Sequence, residues 1–232
     1  MKKVLFLGNS FTFYHDMPAM VQNLCNYDRD NIHAVKLTYG GYRLAQYLEE
    51  GTEPNRRLTA FLDNESWDYV VLHDQSCTPT VAPETFFSAA KTLCGRIRKN
   101  GAKPVFYATW AYKNRVGKQS RLAELGLTYE QFYRAQREAY DKAARDNDAD
   151  IVRVVDAFRL AESRGAYDLT IRQQDDYHPR YGGSYLAALL FADYFLGGLP
   201  DPLWTPSRVD LSAEDAEKLV EIAREYLGQK SE

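Results

Sequence analysis

Short apolar runs rich in β-branched residues recur along the chain, and most are followed by segments whose apolar positions repeat with helical spacing. The runs cover residues 3–7, 32–39, 67–73, 103–109 and 151–155. Helical spacing follows at 17–27, in YRLAQYLEE after Gly40 and Gly41, at 84–99, and from Thr128 to about Asp146. Residues 185–196 and 212–228 read as helices beyond the last strand. Thr128 and Gln131 have the spacing of a capping box, and Ser212 with Glu214 and Asp215 would open the final helix. Strands buried on both faces lose the in–out alternation and become continuous apolar runs. Such runs alternating with amphipathic helices predict a parallel sheet covered on both sides. No repeat, low-complexity segment or linker interrupts the pattern, so one domain is expected over residues 1–232.

Composition narrows the reading. With 232 residues, 45% of them hydrophobic, the chain can bury a substantial core. Its net charge of -3 comes with no basic stripe, so no nucleic-acid partner is expected. Cys25, Cys77 and Cys94 are an odd number without C-x-x-C spacing, which predicts neither a disulfide framework nor a zinc site. His15, Asp16, Asp28 and Asp30 are spaced too irregularly to predict a metal site. The opening MKKVLFLGNSF has four apolar residues before Gly8, too few for a signal-peptide core, and no apolar run reaches membrane-spanning length. A cytoplasmic protein without a membrane partner is expected, with secretion the alternative if a leader has been removed. Oligomeric state is not legible.

In an open parallel sheet, ligands bind where loops leave the carboxyl ends of the strands. Gly8-Asn9-Ser10 follows the first strand and Gly40-Gly41 the second; His73-Asp74-Gln75-Ser76 closes the third, and Trp110 and Tyr112 follow the fourth. Asp175-Asp176-Tyr177-His178 precedes a helix near the end. These residues contain what acyl transfer requires. A serine hydroxyl needs an imidazole to take its proton, and a carboxylate to orient that imidazole. The oxyanion needs donors placed beforehand. Each residue also has a structural explanation: Ser10 could cap a helix, Gly40 and Gly41 could form a turn, Gln75 could be a satisfied loop amide, and Trp110 could be core. His73 could line a pocket or merely end its strand.

The spacing of these segments resembles the SGNH (GDSL-like) hydrolase family. VLFLGNSFT is similar to its first block, Gly40-Gly41 to the second, VVLHDQS to the third (G-x-N-D) and DDYHPRYGG to the fifth (D-x-x-H-P with a trailing glycine). The third block departs from the pattern, with His73 for glycine and Gln75 for asparagine. The resemblance implies a three-layer α/β/α fold with a five-stranded parallel sheet in flavodoxin-like order 2-1-3-4-5. It also implies Ser10 as nucleophile, His178 as base, and Asp175 as orienting carboxylate, with Asp176 the alternative. The oxyanion donors would be the N–H groups of Ser10 and Gly41 (or Gly40) and the Gln75 amide. Trp110, Tyr112, His73 and Tyr177 are the expected substrate contacts. The implied reaction is hydrolysis of a small acyl ester, with an O-acetylated carbohydrate as candidate substrate and no cofactor or metal. Two alternatives stand beside it: a non-catalytic sugar- or acyl-binding module on this fold, and a phosphate- or nucleotide-binding protein using residues 8–10 as an anion cradle.

Overall fold

The computed structural model describes residues 1–27, 31–113, 124–206 and 211–229. Its strands are β1 (Lys2–Gly8), β2 (Ile32–Thr38), β3 (Tyr69–Leu72), β4 (Lys103–Ala108) and β5 (Asp150–Arg153). They form one all-parallel sheet in the order β2-β1-β3-β4-β5, as expected. Gly8 pairs with Thr38, Leu7 with Leu72, and Leu72 with Phe106. The carboxyl ends of the four strands β2, β1, β3 and β4 therefore finish near one level, and the loops leaving them share one rim.

The helices are α1 (Ser10–Phe13), α2 (Met17–Cys25), α3 (Glu53–Asn64), α4 (Thr78–Val81), α5 (Pro83–Asn100), α6 (Tyr129–Asp146), α7 (Val154–Ser163), α8 (Tyr167–Thr170), α9 (Tyr181–Leu196) and α10 (Ala213–Gly228). Successive residues of a strand face opposite sides, and the core divides accordingly. Val4, Phe6, Val71, Val105 and Tyr107 pack against residues of α2, α7, α9 and α10. Leu5, Leu7, Val70, Leu72 and Phe106 pack against α3, α5 and α6. Helix α9 is buried except at Asp193, Tyr194 and Leu196, which explains its largely apolar sequence. Among the described residues no helix is long and apolar enough to cross a membrane.

Several elements differ from the sequence reading, the unpredicted short helices α4 and α8 among them. YRLAQYLEE yields a short 3₁₀ segment, Leu44–Leu48, and the helix of this layer is α3, which the reading missed. Its buried stripe consists of Pro54, Leu58 and Leu62 alone, too narrow to stand out among charged neighbours. The fifth strand ends at Arg153 rather than Val155, and α7 begins at once. Val152, Val154 and Val155 flank Arg153 at the junction and suit either period, so the change from 2 to 3.6 is not legible there. Helix α9 starts at Tyr181, four residues before the expected 185, because its first turn contains two glycines.

Candidate active site

The site begins where β1 hands over to α1. Asn9 caps that short helix, its Oδ1 accepting from Phe11 N–H (3.2 Å). Its Nδ2 donates to the carbonyls of Tyr42 (3.0 Å) and Asp74 (3.1 Å). One amide thus pins the loops after β2 and β3 beside Ser10. Asp74, buried behind the same loops, continues the brace: its Oδ1 accepts from the N–H groups of Leu44 (3.1 Å) and Gln75 (2.6 Å). Burial pushes the Asp74 carboxyl up to about 6, opposed by those two hydrogen bonds and the Arg43 charge.

Across the rim, residues 171–179 close on themselves. Ile171 and Pro179 form an antiparallel bridge, Arg172 N–H donates to the His178 carbonyl (2.9 Å), and Asp176 N–H donates to the Arg172 carbonyl (2.9 Å). Within this loop His178 Nδ1 lies 3.0 Å from Asp175 Oδ2, and Asp175 Oδ1 accepts from the N–H groups of His178 (3.0 Å) and Tyr177 (3.2 Å). His178 Nε2 lies 3.0 Å from Ser10 Oγ. The loop therefore joins Asp175, rather than Asp176, to the imidazole; Asp176 is fully buried with a left-handed φ of 56°. Burial lowers the His178 pKa below its usual value, only partly offset by Asp175. For Asp175, burial acts upward, but the N–H groups and imidazole of His178 pull it below the usual carboxylate range.

The cleft above Ser10 has a volume of about 540 Å³. Ser10, His178, Gly40, Gly41, Gln75, Tyr112 and Tyr177, all singled out in the sequence, line it. So do Asn9, Phe11, Phe13, Tyr14 and Ser76, which the reading passed over as contacts. Phe13 stands three residues after Ser10 on the same helical face, a signal that would have found it, whereas Tyr14 lies just past the helix end with an extended ψ of 134°. Gly40 and Gly41 form a turn closed from Tyr42 N–H to the Tyr39 carbonyl (3.3 Å). Gly41 has φ 68° at its third position, the type II geometry that favours glycine. Among the described residues the N–H groups of Ser10, Gly40 and Gly41 have no acceptor. Gln75 Oε1 accepts from Cys77 N–H (3.2 Å), Cys77 Sγ (3.2 Å) and Thr78 Oγ1 (3.1 Å), while Nε2 donates to Ser76 Oγ (3.2 Å). The amide is oriented by its own loop and keeps one N–H uncommitted.

Two expected contacts are corrected. His73 is fully buried beneath α1, its Nδ1 2.8 Å from Thr12 Oγ1 and its ring between Phe11 and Tyr107. Burial pushes it down to about 3, so it stays neutral. Directly after β3, it turns inward rather than toward the cleft. Trp110 is also fully buried, stacked between Phe11 (4.4 Å) and Phe158 (4.4 Å), and its Nε1 donates to the Tyr177 carbonyl (3.0 Å). It anchors the histidine loop from below and does not line the cleft. Among the described residues no group of three His, Cys, Asp or Glu side chains could hold a metal ion; Asp28 and Asp30 lie outside the described residues.

A parallel sheet of this order, with a hydroxyl, an imidazole and a carboxylate joined at its carboxyl edge, is the layout of a hydrolase. The chain belongs to the SGNH hydrolases. It is 33% identical to an inferred SGNH hydrolase from Slackia heliotrinireducens, over 83% of this chain and 97% of that one, with a TM-score of 0.73. Its fold is also that of a DUF4886 family protein from Bacteroides uniformis (17% identity, 100% and 96% covered, TM-score 0.76). The acetyl xylan esterase AlAXEase shares it as well (17% identity, 83% and 98% covered, TM-score 0.58). No protein-family model matches the chain, and no curated protein matches it.

Proposed function

We propose that this protein is a serine ester hydrolase acting on a small, uncharged acyl ester, with an O-acetylated carbohydrate as its preferred substrate class. The observation that carries the reading is the hydrogen-bonded chain Ser10–His178–Asp175 opening onto a cleft with uncommitted N–H groups. Ser10 Oγ attacks the ester carbonyl while His178 Nε2 takes its proton, and Asp175 holds the imidazole with its proton on Nδ1. The oxyanion is held by the N–H groups of Ser10 and Gly41 and the free N–H of Gln75. Collapse returns the proton from His178 to the leaving alcohol, and water then cleaves the acyl-enzyme by the same route. With the His178 titration lowered by burial, the side chains lining the cleft carry no formal charge at neutral pH, which supports a neutral substrate. Phe13, Tyr14, Tyr112 and Tyr177 provide the aromatic faces that suit a sugar ring. The test is hydrolysis of p-nitrophenyl esters of increasing acyl length and of acetylated sugars, with Ser10→Ala protein as control. Sugar binding without turnover by wild-type protein would mark a non-catalytic module instead.

Two expected results follow from the same geometry. The base must be neutral to accept a proton, so kcat/KM rises with pH through the titration of His178. Burial lowers that titration, and the midpoint is expected below the ordinary value of about 6.5. Rates measured from pH 4 to 8 check this, and a midpoint above 6.5 contradicts it. Gln75→Ala removes a donor whose benefit arises in the transition state, so kcat is expected to fall by about 10²-fold with KM little changed. Equal kcat values would mean that the backbone N–H groups suffice.

A further inference from the structure

Arg172 belongs to none of the sequence blocks above, yet it touches the site on two sides. Its Nη1 donates to the Tyr14 hydroxyl (3.1 Å), and its guanidinium carbon sits 5.4 Å from the centre of that ring. The same Nη1 lies 3.7 Å from Asp175 Oδ2, the oxygen that holds His178 Nδ1. Tyr14 lines the cleft, and its ring packs 4.7 Å from the His178 ring at 34°. The Arg172 backbone is fixed at both ends, by N–H to the His178 carbonyl and by its carbonyl to Asp176 N–H.

We propose that Arg172 is a positioning residue with two separable actions: it latches the Tyr14 ring as the cleft wall beside His178, and its charge competes with the imidazolium for Asp175. The inference rests on the reading of Ser10, His178 and Asp175 as the reacting trio. A fixed guanidinium fork near a carboxylate and a phenol suits this double role better than an ammonium would. The electrostatic sign is definite. A second cation near Asp175 disfavours protonated His178, so Arg172 contributes to the lowered histidine titration, alongside burial. The other titratable or hydrogen-bonding groups facing His178 are Asp175 and Tyr177 on its own loop and Ser10 and Tyr14 on the serine segment. His15, the next residue, is directed instead to the Pro179 carbonyl (3.2 Å).

Three variants separate the two actions: Arg172→Gln, Arg172→Lys and Tyr14→Phe. Arg172→Gln is expected to move the acid limb of kcat/KM upward by about 0.5 pH unit, since the pair is partly exposed and screened. It should also raise KM about fivefold, by freeing the wall. Arg172→Lys restores the charge, so the limb returns toward wild type while KM stays raised. Tyr14→Phe removes the latch alone, raising KM with the limb unmoved. The histidine titration is read independently from the His178 imidazole resonances by NMR in wild type and Arg172→Gln. That measurement needs no turnover, so it stands even if the esterase reading fails. Should Arg172→Gln not fold, Arg172→Lys and Tyr14→Phe still test the latch. The charge is then tested by the wild-type His178 titration at low and high salt, where screening of Arg172 should raise it and an unmoved titration would overturn that action. A His178 titration identical in wild type and Arg172→Gln, or wild-type KM in Tyr14→Phe, would overturn the proposal. Absence of ester hydrolysis and of Ser10 labelling in wild type would overturn the esterase reading instead.

Discussion

Ser10→Ala and His178→Ala are each expected to lower kcat on a cleavable ester by about 10⁴- to 10⁶-fold, with KM changed little. The two side chains act through one hydrogen bond of 3.0 Å, so removing either disables the same proton transfer. The double variant should therefore be no worse than the poorer single one, a departure from additivity that distant, independent sites do not show. A fluorophosphonate should label Ser10 in the wild type and fail to label His178→Ala, although that variant keeps the hydroxyl. Steady-state rates and mass spectrometry of the adduct check both statements. An adduct on another serine, or additive losses in the double variant, would place the reaction elsewhere.

Gly183→Ala is expected to lower the stability of the whole chain by about 3 kcal/mol or more, at the upper end of what overpacking costs. A Cβ at this position would stand 2.1 Å from the backbone oxygen of Thr170 and 3.2 Å from the Phe158 ring. Gly182 repeats the contact one residue earlier, 2.5 Å from the Leu169 oxygen. The first turn of α9 thus lies directly on the carbonyls that end α8, and backbone cannot swing aside as a side chain can. Thr170 also accepts Arg180 N–H at 2.9 Å, which closes the base of the histidine loop. The melting temperature should drop by about 6–12 °C, given the size of the chain. Gly95→Ala is the control: it lies in the middle of α5 with nothing within 4 Å of its Cβ, and alanine there should add up to about 1 kcal/mol. Equal melting temperatures for wild type and Gly183→Ala would show that α9 can retreat.

Much of this arrangement was readable from residue order. The five apolar runs predict the strands because the central strands of a doubly covered sheet are apolar beyond their opening residues and the edge strands β2 and β5 are apolar in part. Ser10, Gly41, Gln75, Asp175, Tyr177 and His178 could be placed at the rim because each follows a strand or precedes a helix at the expected edge. Depth was the harder matter. His73 and Trp110 sit at strand ends like their cleft-lining neighbours, and only three-dimensional packing under Phe11 separates them from Gln75 and Tyr112. Arg172 was invisible for a related reason. Its partners Tyr14 and Asp175 lie far apart in sequence, and an arginine in a polar loop reads as solvated surface. Helices α3 and α7 were missed because one has too sparse an apolar stripe and the other follows its strand with only Arg153 between valines that suit either period.

The clasp between Ile171 and Pro179 has a mechanical consequence. Asp175 and His178 ride on a single hydrogen-bonded tongue, so the trio of side chains has one joint between segments, from that tongue to α1, instead of two. Its tilt is set by two pins on the carbonyls flanking the imidazole: Trp110 Nε1 on Tyr177 and His15 Nε2 on Pro179. The pins come from different segments, one just past β4 and one from the segment that also bears Ser10. Any rocking of the tongue leaves the carboxylate–imidazole distance unchanged and is felt entirely as a gap opening at the serine.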